Sequence, residues 1–438
     1  MVFCGAGTAA EENTEERFGW HGQSTYIWQT KPAFGAAYDG INSLQAAREK
    51  SYSFTATLAL GARLWAGGEA YLNGELVQGV ALSGLTGLGG LSNGELQKTA
   101  GSKPLLYLAR AFVRQTWALS GSGDSGDSGH SGDEREAVAS AFNQLGGTQA
   151  KRRVVMSVGN LAVSDLFDNN SYAHEARTQF LNWALLGHGH FDFAADSRGY
   201  SVGAALEWIT PDGALRAGRF AVTRESNGLA LDSQIGKHFG DQLELEHEIE
   251  LGGREGRLRL LAFRNVAVMA RFDEALAADA TSGGTPNLDA VRRTQNKIGW
   301  GLGWEQSLTD TLGGMLRLGR HDGHTEPYAF ASIDDSASAA LVQRGAAWQR
   351  PEDQLGLALV SNGLSAPHQR FLAAGGNDFY IGDGRLRYRR ERVVEAYYSA
   401  ALSAGLRLSA DVQHITNPAY NRDRGPVRLL ALRLHVEL

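Results

Sequence analysis

The chain has 438 residues, of which 43% are hydrophobic and 21% charged, with 55 Gly, 9 Pro, 1 Cys and a net charge of −6. This composition excludes a disordered or collagen-like chain, gives no general attraction to nucleic acid, and leaves no material for an intrachain disulfide framework or a Cys-based zinc site. Of the 42 basic residues, 7 are Lys (31, 50, 98, 103, 151, 237 and 297) and 35 are Arg, a preference for fixed forks of donors over mobile point charges.

Residues 1–10, MVFCGAGTAA, read as the tail of a secretory signal, with small Thr8 and Ala10 where a peptidase would cut. A short segment, 11–16, follows. From there alternation with period 2 dominates. It predicts sixteen strands: 17–28, 51–65, 68–78, 106–118, 151–159, 198–209, 213–224, 240–251, 256–265, 294–306, 312–321, 338–349, 354–362, 387–401, 405–415 and 426–438. Tyr200, Val202, Ala204, Leu206 and Trp208 alternate with small or polar residues, and Leu430, Leu432, Leu434 and Val436 do the same near the C-terminus. Glu244, Glu246, Glu248 and Glu250 share one face of a strand and need water or Arg partners; Arg257 and Arg259 follow one turn later. No run makes a membrane helix. The uncharged stretch Leu76 to Gly94 holds six Gly and is a poor helix for lipid.

The connections alternate between short turns, as at Gly67, Gly252-Gly253 and Thr309-Asp310, and long loops centred on 29–50, 79–105, 160–197, 225–239, 266–293, 322–337, 363–386 and 416–425. Short turns on one rim and long loops on the other are the pattern of outer-membrane barrels. Residues 119–150 break it, and their core, Ser120 to Asp133, reads as a solvated flexible insert. The expected fold is all-β: a single transmembrane antiparallel β-barrel over 17–438, with 16 strands (18 being the alternative) and short helical loop insertions.

Several segments resemble the OprB-type carbohydrate-selective porin family. They are His21-Gly22-Gln23 with Trp28-Gln29; Asn93-Gly94-Glu95 with Gln97-Lys98; Val158-Gly159-Asn160 through Ser164-Asp165-Leu166-Phe167-Asp168-Asn169-Asn170 to Trp183; Glu391 and Glu395 with Tyr397-Tyr398; and Asn417 to Pro426. They occur in the same order along nearly the whole chain. The resemblance implies an outer-membrane pore of a Gram-negative bacterium passing small saccharides or similar polar solutes by diffusion. It implies outer-membrane lipids and the barrel-assembly machinery as partners, a monomer or homotrimer, and no cofactor or metal.

A diffusion pore needs a narrow point whose side chains partly replace solute hydration. The longest loop offers Asp165, Asp168, Asn170, Tyr172, Arg177 and Trp183. Residues 173–185 read as a short helix, and the resemblance favours folding it inward. Arg385 and Arg387, following Asp383, are expected on one face of a strand as a basic row. Arg110 and Arg114 on the fourth strand and Arg219 on the seventh are further lining candidates, and Arg424 sits in a rigid Pro/Gly loop that suits a structural role first. Gly187-His188-Gly189-His190 is a weak metal site. No nucleophile elbow, His-Glu-x-x-His or Walker loop occurs, so a barrel enzyme is a minor alternative, as is a soluble or adhesive β protein.

Overall fold

The structure, a computed structural model, describes residues 15–99, 101–119, 134–282, 284–329 and 331–438. The signal-like residues 1–10 and the Ser/Gly/Asp stretch 120–133 lie outside the described residues. The first barrel strands are β1 (Phe18–Lys31), β2 (Glu49–Trp65), β3 (Gly68–Val80) and β4 (Leu105–Ala118). A separate hairpin of β5 (Arg135–Val138) and β6 (Gly147–Ala150) interrupts them. The barrel continues with β7 (Arg153–Leu161), β8 (Ser201–Thr210), β9 (Gly213–Phe220), β10 (Phe239–Leu251), β11 (Arg254–Met269), β12 (Arg293–Ser307) and β13 (Leu312–His321). It ends with β14 (Asp335–Gly345), β15 (Arg350–Gly363), β16 (Glu391–Ser403), β17 (Leu406–Thr416) and β18 (Val427–Glu437). Among the described residues, sixteen antiparallel strands close into one barrel, with β1 against β18 in the register Gln23–Glu437 to Thr30–Leu430. The two further strands form only the side hairpin, so the barrel has the sixteen strands that the alternation predicts.

The alternation is a sorting of faces. On β18, Leu432 is 51% exposed on the outer wall while Arg433 is 1% exposed inside. An apolar exterior around a charged interior suits lipid outside and a wet lumen within. Inside, Glu246 accepts from Arg259 at 2.6 Å and Glu248 from Arg257 at 2.5 Å, so the acidic row meets the arginines of the next strand. Trp20, Trp65, Trp117 and Trp208 face outward near the short-turn rim, where aromatic rings sit at a membrane interface.

Three local expectations are corrected. The helix predicted over 173–185 is irregular except for one turn, α1 (Trp183–Leu186), started by the Asn182 side chain accepting from Ala184 N; tertiary hydrogen bonds hold the rest instead. The strand expected from 387 begins at Glu391, so Arg385, Arg387 and Arg389 lie in a loop and not in a row on a strand. The strand expected over 213–224 ends at Phe220. The long loops also carry α2 (Phe272–Ser282), with Asp273 and Glu274 in its first turn, and α3 (Ala366–Ala373), capped by Ser365.

Candidate functional site

The connection between β7 and β8 crosses the barrel interior, because the inner faces of distant strands hold its backbone. Asp168 N donates to Glu244 of β10 at 2.7 Å, and Ser171 N to Glu305 of β12 at 2.8 Å. Leu181 N and Asn182 N donate to Glu395 of β16 at 2.5 and 3.1 Å. Arg433 of β18 donates to Ala176 O and Gln179 O at 2.6 and 2.7 Å, and Arg317 of β13 to Ala173 O and Leu185 O at 2.9 and 3.0 Å. A loop without regular structure leaves its backbone groups to be paired by side chains, and the polar lumen supplies them. The glycine face of β12 points inward, so the loop lies flat on it. A Cβ on Gly301 would stand 2.8 Å from the His188 ring.

A dense grouping of charged side chains lies where this loop meets β3 and β4. Arg110 grips Asp165 with Nε and Nη2, each at 2.6 Å. Arg110 reaches the lumen through a β-bulge. Leu106 and Leu108 face outward, and strict alternation would send Arg110 with them. The register slips between Asn73 and Gly74 of the partner strand, leaving Ala109 as the extra residue and turning Arg110 inward. Opposite, Arg177 donates to Glu75 at 2.5 Å and to Glu95 at 3.0 Å, and Lys98 stands 3.3 Å from Glu95. Tyr107 and Tyr200 donate to the other oxygen of Glu75, Tyr200 at 2.8 Å, and the Arg110 guanidinium lies 5.1 Å over the Tyr200 ring.

Burial opposes every charge here, and at the carboxylates the partners override it. The Arg177 and Lys98 guanidinium and ammonium hold the Glu95 carboxyl below its usual range, and Arg110 does the same for Asp165. His188 and Arg317 keep Asp168 ionised. His174 is pushed down by burial and by Arg317, so it is a neutral imidazole whose Nδ1 donates to Leu186 O at 3.0 Å.

Two hollows flank this grouping. One, of about 160 Å³, is walled by Trp183, Phe191, Phe193, Arg198 and Tyr200. The other, of about 520 Å³, extends toward the short-turn rim past Arg114, Phe142, Asn143 and His435. Both are lined by Arg110, Asp165, His174, Glu175 and Arg177, which therefore form an eyelet between them. Residues 141–144, between β5 and β6, floor the lower hollow: Arg114 Nη1 donates to Asn143 O at 2.9 Å and His21 contacts Ser140 at 3.0 Å.

The sequence matches the family described as "Carbohydrate-selective porin, OprB family" over residues 42–438. The chain belongs to that family. Among solved structures it is similar to the high-pH structure of Pseudomonas putida OprB, with TM-score 0.71 and 16% identity over 96% of this chain and 94% of that one. The low-pH structure of Pseudomonas putida OprB gives TM-score 0.48 and 12% identity over 96% and 93%. Pseudomonas aeruginosa OccK11 gives 0.45 and 13% over 98% and 99%. No curated protein sequence matches.

Not every residue singled out from the sequence of this OprB-family porin reaches the eyelet. Arg110, Asp165 and Arg177 do, and Arg114 lines the lower hollow. Asp168 lies against the upper hollow, paired with His188 at 2.8 Å and Arg317 at 3.3 Å. Asn170 is buried and its side chain accepts from Tyr172 N and Ala173 N, while Tyr172 packs on Gly313. Trp183 stacks on Phe193 with centroids 6.3 Å apart. His190 lies against Ser336 and Trp300 O, at 2.9 and 2.8 Å, so the two His serve as loop anchors.

Asp383, Arg385, Arg387 and Arg424 sit together elsewhere, among the long loops. Arg424 is buried and pairs with Asp39 at 2.8 Å and Asp383 at 3.4 Å; Arg387 pairs with Asp423 at 2.8 Å; Arg385 stacks 3.8 Å over Tyr38. Arg385 and Arg387, expected as a lining basic row, do not reach the grouping around Asp165, because the chain before β16 is pinned to the 36–43 and 417–426 loops. Arg219 is corrected too. It has the parity of outward Leu215 on β9 and faces away from the lumen.

Glu75, Glu95, Lys98, Tyr107 and Tyr200 were not expected at the site. Alternation signals Glu75 and Tyr107, since each shares the inward parity of its strand; Glu95 and Lys98 lie in a loop, where periodicity is silent.

Proposed function

We propose that this OprB-family porin is an outer-membrane channel in which saccharides and similar small polar solutes diffuse passively along the two hollows, with the eyelet of Arg110, Asp165, His174, Glu175 and Arg177 as the constriction, Glu75 and Glu95 paired to its Arg177, and no chemical conversion on the way. The observation that carries this reading is the shared lining of the two hollows. Arg110, Arg177 and Lys98 face Asp165, Glu75, Glu95 and Glu175, a near balance of charge that favours uncharged solutes over strong ion steering. Tyr200 and Trp183 offer flat faces to sugar rings, while the flanking guanidinium and carboxylate groups replace hydroxyl hydration. The barrel sits in the outer membrane of a Gram-negative cell with its short turns toward the periplasm. Single-channel recording in planar bilayers tests this: neutral sugars added to the bath should reduce ion current in a concentration-dependent way, and Arg177→Gln should weaken that block. A conducting channel that neutral sugars never block, or whose block ignores Arg177, overturns the assignment.

A further inference from the structure

Arg219 belongs to a polar layer on the lipid-facing wall. Across β8 to β12 the outward residues at one height are Ala204, Arg219, Asp241, Arg264 and Ile298, each opposite the next in register. Arg219 holds Asp241 through Nε and Nη2 at 2.7 and 2.8 Å and stacks 3.8 Å over Phe239. Among the described residues no carboxylate pairs with Arg264; its Nε and Nη2 donate to Asn296 Oδ1 at 3.1 and 3.0 Å. One carboxylate against two guanidinium groups leaves the layer net positive. On the strand of Asp241, about ten residues separate it from the short turn, the length a tilted strand needs to cross hydrocarbon. The layer therefore lies at the long-loop edge of the apolar belt, where a charge is costly unless a headgroup meets it.

Below the layer the wall is indented. Ala217 and Ala262 stand beside Leu206 and Leu243, and an open depression of about 770 Å³ runs among them up to Ala204 and Ile298 of the layer. A guanidinium pair above an apolar depression matches a molecule with an anionic head and a hydrocarbon chain, since guanidinium groups take phosphate oxygens in a fork.

We propose that Arg219 and Arg264 bind the phosphate of an acylated, phosphorylated lipid of the outer leaflet, one acyl chain of which fills the depression beside Ala217. Asp241 holds Arg219 in place and tempers its charge. The site faces away from the lumen, so it is separate from the solute path.

The test uses delipidated, detergent-solubilised full-length protein titrated with a diphosphorylated, multiply acylated glucosamine disaccharide lipid in mixed micelles. Native mass spectrometry counts adducts and thermal unfolding reports stabilisation. The wild type should retain the lipid, and the dephosphorylated lipid should bind about tenfold more weakly or less. R219Q/R264Q should weaken binding about tenfold, Ala217→Trp should also reduce it, and Asp241→Asn should strengthen it, all with unchanged single-channel conductance. Equal retention of the phosphorylated and dephosphorylated lipids overturns the proposal, as does indifference to R219Q/R264Q. So does a second copy of the chain occupying the face, seen as a dimer that Ala217→Trp dissociates. Loss of conductance would instead count against the porin reading.

Discussion

Arg177 Nη2 lies 2.5 Å from Glu75 Oε1, joining the crossing loop to the inner face of β3. The same guanidinium reaches Glu95 through Nε, so one side chain compensates two buried carboxylates and ties three segments at the eyelet.

Arg177→Gln should therefore do two things. It leaves Glu75 and Glu95 with Lys98 as their only cation among the described neighbours, so reversal potential in a salt gradient should move toward cation selectivity. It also removes a charged donor worth about 1.5–3 kcal/mol per hydrogen bond, so sugar block should weaken roughly tenfold. An unmoved reversal potential would place Arg177 outside the ion path.

The barrel was legible because a strand in a membrane wall must put apolar side chains on one face and polar ones on the other, and Leu430 to Val436 spell that out. The bulge at Ala109 was not, because Leu106, Leu108 and Arg110 have the same parity and only the partner strand shows the slip. Arg219 misled for a related reason: an arginine on the outer wall at the membrane edge and one in the lumen look alike in sequence. The expected helix over 173–185 failed because side chains from β13, β16 and β18 satisfy that backbone, and none of those partners is local. Asp165 and Arg177 were found from motif resemblance; their partners Arg110 and Glu75 become partners only when the loop folds inward.

Arg385→Gln with Arg387→Gln should leave reversal potential and sugar block unchanged. Arg387 is more than half exposed and pairs with Asp423, and an exposed pair contributes about 0–1 kcal/mol. Arg385 stacks on Tyr38, away from the eyelet. A clear shift in selectivity would return this pair to the constriction.

The long loops carry a pH-dependent clasp. His368 of α3 is fully buried between Asp334 at 3.1 Å and Asp378 at 3.2 Å and stacks on Phe272 of α2 at 4.2 Å. Burial disfavours its charge, yet the two carboxylates raise its pKa to about 9. A His raised in the folded state contributes stability that is complete below its unfolded pKa and is lost as pH rises through the folded value. Hydrogen exchange in α2 and α3 should thus be slow at neutral pH and accelerate as pH passes about 9, beyond the intrinsic rate increase. His368→Gln should exchange fast at both values, and a wild-type profile without that step would rule the clasp out.

Asp168 tests whether the eyelet depends on the loop's anchoring. Its carboxylate lies 2.8 Å from His188 Nδ1 and 3.3 Å from Arg317 Nε, and its backbone adopts φ +59, a left-handed conformation that Asn and Asp accept more readily than most residues. Asp168→Asn keeps that backbone and the shape of the side chain but removes the charge facing Arg317, which is buried. Leaving a buried cation without its partner costs about 3–5 kcal/mol. The interstrand ladder does not use Asp168, so the barrel should assemble and the cost should fall on the loop. Single-channel conductance should rise, open-channel noise should increase and sugar block should weaken, while circular dichroism in the strand region stays unchanged. If conductance and block keep their wild-type values in a folded Asp168→Asn channel, then Glu244, Glu305 and Glu395 hold the loop without help, and Asp168 has no part in maintaining the constriction.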